Sequence, residues 1–302
     1  MSNNSPSSPS TNSAPLVLNE RPDIGAVPKL LTAFVGRDRE LTAVVDLLRR
    51  PDVRLVTVTG TGGVGKTRLA LRAAEDSHDT FDRVVFIPLA AVRDPVMLLP
   101  TVAHYLNVPD TPDTPLLSRP RALLSNQQLL LVLDVVEHLL DAVPAVAELL
   151  AACPRLTILC TCRTNLNVSG EHLLPLAPLP GEEARALFIE RVRALVPGFT
   201  ATDEVADVID AICAQLDGLP LAIELAASRV PMLPPRALLA RLEHRLDLLT
   251  GGPRDAPPRL HAMRDAISWS HDLLPGAAGA LSTPRGLHWR VHPASSRGCG
   301  GQ

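Results

Sequence analysis

The stretch "VTVTGTGGVGKTRLAL", residues 56–71, runs from a β-branched apolar segment through four glycines into one of only two lysines in the chain, Lys66, the other being Lys29. Its centre, "GTGGVGKT", fits the pattern G-x-x-x-x-G-K-[ST] with Gly60, Gly65, Lys66 and Thr67. The glycines let the backbone turn its N–H groups inward around phosphate oxygens, and a helix starting there presents its positive end to the same anion. Lys66 is placed to reach β- and γ-phosphates and the Thr67 hydroxyl to ligate Mg²⁺. The flanks agree: "VRLVTVTG" (53–60) reads as a parallel strand covered on both faces, and "GKTRLALRAAEDS" is helical in composition.

Outward from this stretch the same alternation continues. "RVVFIPLA" (83–90), "QQLLLVLD" (127–134), "RLTILCT" (155–161) and "HLLPLAPL" (172–179) read as strands. "DPVMLLPTVAHYLNV" and "EHLLDAVPAVAELLAAC" read as the intervening helices. Strands alternating with helices predict a parallel α/β sheet. After "LPGEEA" the strand signal ends; Ala184, Leu187, Phe188, Val192 and Leu195 share one helical face, as do Val205, Val208, Ile209, Ile212, Cys213 and Leu216. The expected fold is therefore a parallel-sheet P-loop NTPase domain over residues 29–180, followed by a small all-α domain over 181–250. Residues 1–28, rich in Ser, Asn and Pro, read as a disordered lead-in.

Two further segments supply candidate chemistry. In "LLLVLDVVEHLL", Asp134 ends a buried strand and suits a Mg²⁺-holding carboxylate opposite Thr67; a helix-capping aspartate is the plain alternative. A second acid beside it would polarise water, but the neighbour is Val135. Glu137, three residues on, is the substitute candidate, or a first-turn glutamate favoured by the helix dipole. In "ILCTCRTNL", Arg163 follows directly on a strand, where its guanidinium could read a γ-phosphate or simply be a solvated loop arginine.

Composition narrows the classes. The chain has 302 residues, 46% hydrophobic but only 3% aromatic, so its core is built mainly from Leu, Val and Ala. A net charge of -3 and dispersed arginines give no field for nucleic acid, and direct DNA binding by this chain is not expected. Five cysteines (Cys153, Cys160, Cys162, Cys213, Cys299) lack zinc-site spacing and read as reduced thiols of a cytoplasmic protein. His138, His261 and His271 have no ligand-like partners in sequence and read as surface or packing residues. No apolar run reaches membrane-spanning length, and the first residues carry no secretory pattern.

Taken in order, these segments resemble the STAND class of P-loop ATPases, and specifically the NB-ARC-like modules of bacterial LuxR-type and SARP-type transcriptional regulators. "FVGRDREL" (34–41) is similar to the family's entry motif, which implies that Val35, Gly36 and Arg37 lie against adenine and ribose. "GTGGVGKTRLA" is similar to its P-loop, which implies that Gly60, Thr61, Gly62, Gly63, Val64, Gly65, Lys66, Thr67 and Arg68 contact nucleotide. "LLLVLDVVEHLL" is similar to its metal-binding strand, although an Asn expected after the Asp is Val135 here. "LCTCR" resembles its sensor segment, and "GLPLAIELAA" (218–227) its helical-domain motif, with Pro220 packing on adenine.

The resemblance implies an ATP/ADP switch with Mg²⁺, slow or absent hydrolysis, and self-association or regulatory protein partners. An autonomous ATPase or small-molecule kinase with a helical lid stays open beside it, as does a non-functional fragment. "PPRLHAMRDAISWSHDLLP" resembles the start of a winged-helix domain (251–276), and the irregular run that follows (277–302) suggests a truncated or frameshifted product.

Overall fold

The computed structural model describes residues 25–108 and 127–242, together with Leu249 and Gly252. Five parallel strands, β1 (Leu55–Thr59), β2 (Arg83–Pro88), β3 (Leu129–Asp134), β4 (Leu156–Cys162) and β5 (Glu171–Pro175), form one sheet in the order β2-β3-β4-β1-β5. Helices α1 (Asp38–Arg49), α2 (Lys66–Glu75), α3 (Leu98–Tyr105) and α4 (Val143–Ala152) cover it. The expected strands are all present, each within a few residues of its sequence bounds.

The central strands β1, β3 and β4 are buried along almost their whole length because both faces are covered, and their period of two divides them cleanly. Leu129, Leu131, Leu133, Ile158 and Cys160 pack with α3 and α4 on one face. Leu130, Val132, Leu159, Val56 and Val58 pack with α1 and α2 on the other. Arg54, just before β1, donates to the carbonyls of Leu150, Cys153 and Leu156, closing the C-terminal end of α4 onto the start of β4. Gly25 O accepts from Phe86 N, and Val27 and Leu30 pack on the sheet, so the described chain already lies against β2 ahead of the expected boundary at residue 29.

The helices that sequence placed around prolines begin later than expected. Residues 137–138 form a turn, Leu140–Ala142 a short 3-10 turn, and α4 starts at Val143 with Pro144 in its first turn. Proline lacks the N–H and crowds the preceding turn, so it is accommodated only at the helix start. Likewise Pro95–Met97 is a 3-10 turn that leads into α3.

Beyond the sheet, α5 (Gly181–Leu195), α6 (Asp203–Gln215), α7 (Pro220–Ala227) and α8 (Pro235–Arg241) enclose a second core centred on Phe188, Ile209, Ile212, Ile223 and Leu238. Leu195 does not belong to it: at the last turn of α5 it is 50% exposed. The observed architecture is the expected α/β parallel-sheet domain followed by an all-α one. Residues 1–24 of the N-terminal tail, the winged-helix resemblance apart from Gly252, the irregular end, His261, His271 and Cys299 lie outside the described residues.

The two parts meet through glycines. Gly218 has φ +64°, and a Cβ there would sit 2.3 Å from Leu179 O, which the backbone on neither side can relieve. Gly218 O accepts from Leu179 N at 2.9 Å, stitching the α6–α7 turn to the loop leaving β5. Gly218→Ala is therefore expected to destabilise by about 2–4 kcal/mol, combining left-handed strain with a backbone clash, and thermal melting checks it.

Candidate nucleotide-binding site

The parallel register decides which side chains meet. Thr59 pairs with Cys162 and Leu133 with Cys160, so Gly60, Asp134, Thr161 and Arg163 emerge along one carboxyl edge of the sheet. Because β4 lies between β1 and β3, Arg163 leaves the sheet between the glycine loop and Asp134.

Gly60, Gly63 and Gly65 have φ of +149°, +78° and +100°, values an L side chain rarely adopts, and the loop they shape runs straight into α2. Lys66 Nζ donates to Gly60 O at 2.8 Å and Thr61 O at 3.0 Å, folding its ammonium over the loop. Burial holds the Lys66 ammonium below the usual lysine range, opposed by the nearby Glu137 carboxylate. This lysine is thus a partly desolvated cation folded over a glycine loop that runs into the N-terminus of α2, an arrangement suited to polyphosphate.

Asp134 is 3% exposed, and its Oδ1 accepts from Thr67 Oγ1 and from Thr161 Oγ1, each at 2.7 Å. Thr161 Oγ1 in turn accepts from Val135 N at 2.8 Å. The Thr67 hydroxyl and the Asp134 carboxylate are hard oxygen donors in contact, which fits Mg²⁺ rather than a softer ion. Among the described residues no cluster of His, Cys, Asp and Glu forms a metal site of its own. Thr161 was not singled out from sequence, where it is an ordinary strand threonine in "LCTCR"; only the β3–β4 register shows that it orients Asp134.

Val135 has φ +67° while 7% exposed. A β-branched residue in the left-handed region is strained, whereas Asn enters it readily. The family resemblance placed Asn at this position, and the backbone gives a local reason for that choice. Val135→Asn is expected to stabilise the protein by on the order of 1 kcal/mol, read as a raised Tm.

Glu137 and Arg163, expected as a water-polarising acid and a phosphate sensor, contact each other: Arg163 Nε donates to Glu137 Oε1 at 3.2 Å, with the side chains 16% and 6% exposed. His138, beside them, is a packing residue whose Nε2 lies 3.1 Å from Leu89 O and 2.6 Å from Val92 O, tying the β3 turn to the chain leaving β2. Cys153, Cys160, Cys162 and Cys213 are buried cysteines outside any disulfide, and burial raises the thiols of Cys160 and Cys162, with Cys213 pushed up to about 12.

The remaining candidates line a narrow cleft between the two parts of the molecule. Phe34, Val35 and Arg37 come from the entry segment, Val64, Gly65 and Arg68 from the P-loop and α2, and Leu187, Arg191, Pro220 and Glu224 from the helical part. The cleft between them is narrow, with a cavity volume of about 30 Å³. Arg37, 5% exposed, donates to Ala177 O at 2.5 Å and to Glu40 at 2.7 Å, and its backbone N–H donates to Glu183 Oε2 at 3.3 Å. Gly36 is fixed beside it, because a Cβ would lie 2.6 Å from Glu183 Oε2. Arg68 donates to Thr32 Oγ1 and to the carbonyls of Thr32 and Ala33, and Arg191 donates to Ala33 O and to Glu224. Thr61 is exposed at the loop's outer edge, and Gly62 follows it. Sequence reasoning missed Glu183, Arg191 and Glu224, which carry no motif signal and reach the cleft only through the packing of α5 and α7.

With this geometry in place, the family comparison is specific: residues 37–180 match the NB-ARC domain. The chain carries an NB-ARC domain. The match covers the P-loop, the Asp134 strand and Arg163, in the order the sequence resemblance required. A putative HTH-type transcriptional regulator of Mycobacterium tuberculosis is 42% identical over 223 residues, covering 73% of this chain and 25% of the relative. An uncharacterized protein of the same species is 39% identical over 255 residues, covering 83% of this chain and 64% of the relative. The regulatory protein AfsR of Streptomyces griseus is 31% identical over 218 residues, covering 68% of this chain and 21% of its own length. The NB-ARC chain thus spans between a fifth and two thirds of the length of these relatives. Among solved structures, Cdc6p of Pyrobaculum aerophilum shares the fold, with a TM-score of 0.52 and 20% identity over 68% of this chain and 64% of that one. Among the described residues no helix is long and apolar enough to cross a membrane.

Proposed function

We propose that this NB-ARC chain is a nucleotide-controlled switch module of a cytoplasmic regulatory protein, binding ATP or ADP with Mg²⁺ and hydrolysing ATP slowly or not at all. The observation that carries this reading is the junction between the P-loop and the helical part. Leu221 N, in the first turn of α7, donates to Gly63 O at 3.1 Å, and the cleft is lined from both sides. A phosphate that repositions the loop therefore acts directly on the helix that carries Pro220.

In this reading Lys66 and the loop N–H groups hold the phosphates, and Thr67 with Asp134 holds Mg²⁺, which when bound neutralises phosphate charge. Arg163 senses the γ-phosphate, and Glu137 is the acid that would serve water. Val35, Gly36, Arg37, Arg68 and Pro220 border the base site. In this reading nucleotide loading shifts the entry segment and α7 against the P-loop, and that movement is the signal passed to self-association or to protein partners.

Titration with ADP and ATP, with and without Mg²⁺, alongside steady-state turnover, tests the reading. Tight Mg²⁺-dependent ADP binding with slow turnover is expected. Brisk turnover dependent on a phosphate acceptor would instead indicate an autonomous enzyme, and absence of binding would overturn the proposal.

A further inference from the structure

The contact between Arg163 and Glu137 is incomplete in an informative way. One carboxylate oxygen, Oε1, takes the Arg163 Nε–H, while Oε2 is buried without any hydrogen-bond partner. A guanidinium fork satisfies both oxygens of a carboxylate when the two groups are built for each other. Here the carboxylate is held by a single bond, at a site where an unsatisfied buried oxygen is costly. The pair also shares its surroundings with a second cation: Glu137 favours the charged form of Lys66, and Arg163 opposes it. Two cations, Lys66 and Arg163, and two buried acids, Glu137 and Asp134, therefore converge beside the phosphate loop.

We propose that Arg163 exchanges partners, pairing with Glu137 when no γ-phosphate is present and moving to the γ-phosphate when ATP is bound, so that Glu137 competes with ATP for the arginine. This rests on the nucleotide-binding reading above and adds a regulatory role for Glu137 as the counter-ion that sets the preference between ATP and ADP. The register supports it, because Arg163 follows Cys162, whose partner Thr59 immediately precedes Gly60, and the guanidinium starts from the level of the loop. ADP leaves the pair intact; ATP must break it, and its net advantage is reduced by the energy of that contact.

Two other roles for Glu137 give different signs. A glutamate that braces Arg163 in a phosphate-ready pose would make ATP binding weaker when it is lost. A glutamate that merely repels phosphate would act identically whether or not Arg163 is present.

The test is calorimetric titration of the full chain with Mg²⁺-ADP and with Mg²⁺ and a non-hydrolysable ATP analogue, for the parent, Glu137→Gln, Arg163→Gln and the double variant. Glu137→Gln keeps the shape of the side chain, and Arg163→Gln leaves a donor for Glu137, so all four proteins are expected to melt within a few degrees of each other. Partner exchange predicts that Glu137→Gln raises the ratio of analogue to ADP affinity about tenfold, the scale of one charge-assisted hydrogen bond, and that Arg163→Gln lowers it by about as much. In the Arg163→Gln background the Glu137→Gln step should change the ratio less than about twofold. A fall in the ratio on Glu137→Gln, or an equal rise in both backgrounds, overturns the exchange while leaving nucleotide binding intact. Failure of the parent to bind either nucleotide overturns the underlying reading, and the exchange with it.

Discussion

Replacing Lys66 with alanine is expected to weaken both Mg²⁺-ADP and Mg²⁺-ATP by at least about 100-fold, from the loss of two charge-assisted phosphate contacts worth roughly 1.5–3 kcal/mol each. In the structure the Lys66 ammonium donates to Gly60 O and Thr61 O, so the substitution also removes two bonds within the loop. The lost loop bonds are to backbone carbonyls near solvent, which water replaces, and the change in Tm without nucleotide should be small. The loss of affinity should therefore appear in titration, and also as disappearance of nucleotide-induced stabilisation on melting, while the unliganded melt stays close to the parent. Weakened ATP with unchanged ADP would place the lysine on the γ-phosphate alone. Unchanged affinity for both would remove it from the site.

What the sequence revealed and what it hid follow from the range of the forces involved. The central β-strands announce themselves because they are buried on two faces and are apolar along most of their length, so "LLLVLD" and "RLTILCT" could be placed without knowing their neighbours. The glycine loop is equally local, since its conformation depends on residues adjacent in the chain. Asp134 and Arg163 could be chosen because strand ends in a parallel sheet face one edge. Thr161, Glu183 and Arg191 could not, because their importance arises only from register and helix packing. Thr161 becomes the second donor to Asp134 once β3 and β4 are aligned, and Arg191 reaches Ala33 O across 158 residues of chain. The pairing of Glu137 with Arg163 was hidden for the same reason: each was read alone, as an acid and as a sensor, and only the three-dimensional edge shows that they hold each other. Leu195 failed in the opposite direction, because helical spacing continues to the end of α5 while the core beneath it does not.

The same reasoning separates metal binding from folding at Asp134, the second large effect. Its Oδ1 is the shared acceptor of Thr67 and Thr161 at 3% exposure, so Asp134→Ala leaves two hydroxyls without that acceptor and should destabilise by about 1–3 kcal/mol besides abolishing Mg²⁺-dependent binding. Asp134→Asn keeps a carbonyl oxygen at the same place and can still accept both hydroxyl protons, but it removes the charge. The expected result is a Tm near the parent together with loss of most of the Mg²⁺-dependent gain in nucleotide affinity, on the order of tenfold or more, because a neutral amide oxygen is a far poorer magnesium partner than a carboxylate. Titration with and without Mg²⁺ distinguishes the cases. If Asp134→Asn retained the full magnesium effect, the carboxylate would be there only to anchor Thr67 and Thr161, and the metal would have to be held elsewhere. If it lost the magnesium effect but melted like Asp134→Ala, its amide would have failed as an acceptor, and charge and hydrogen bonding at this edge would be inseparable. An unchanged melt with the magnesium effect gone is the outcome that assigns the Thr67–Asp134 pair to the metal.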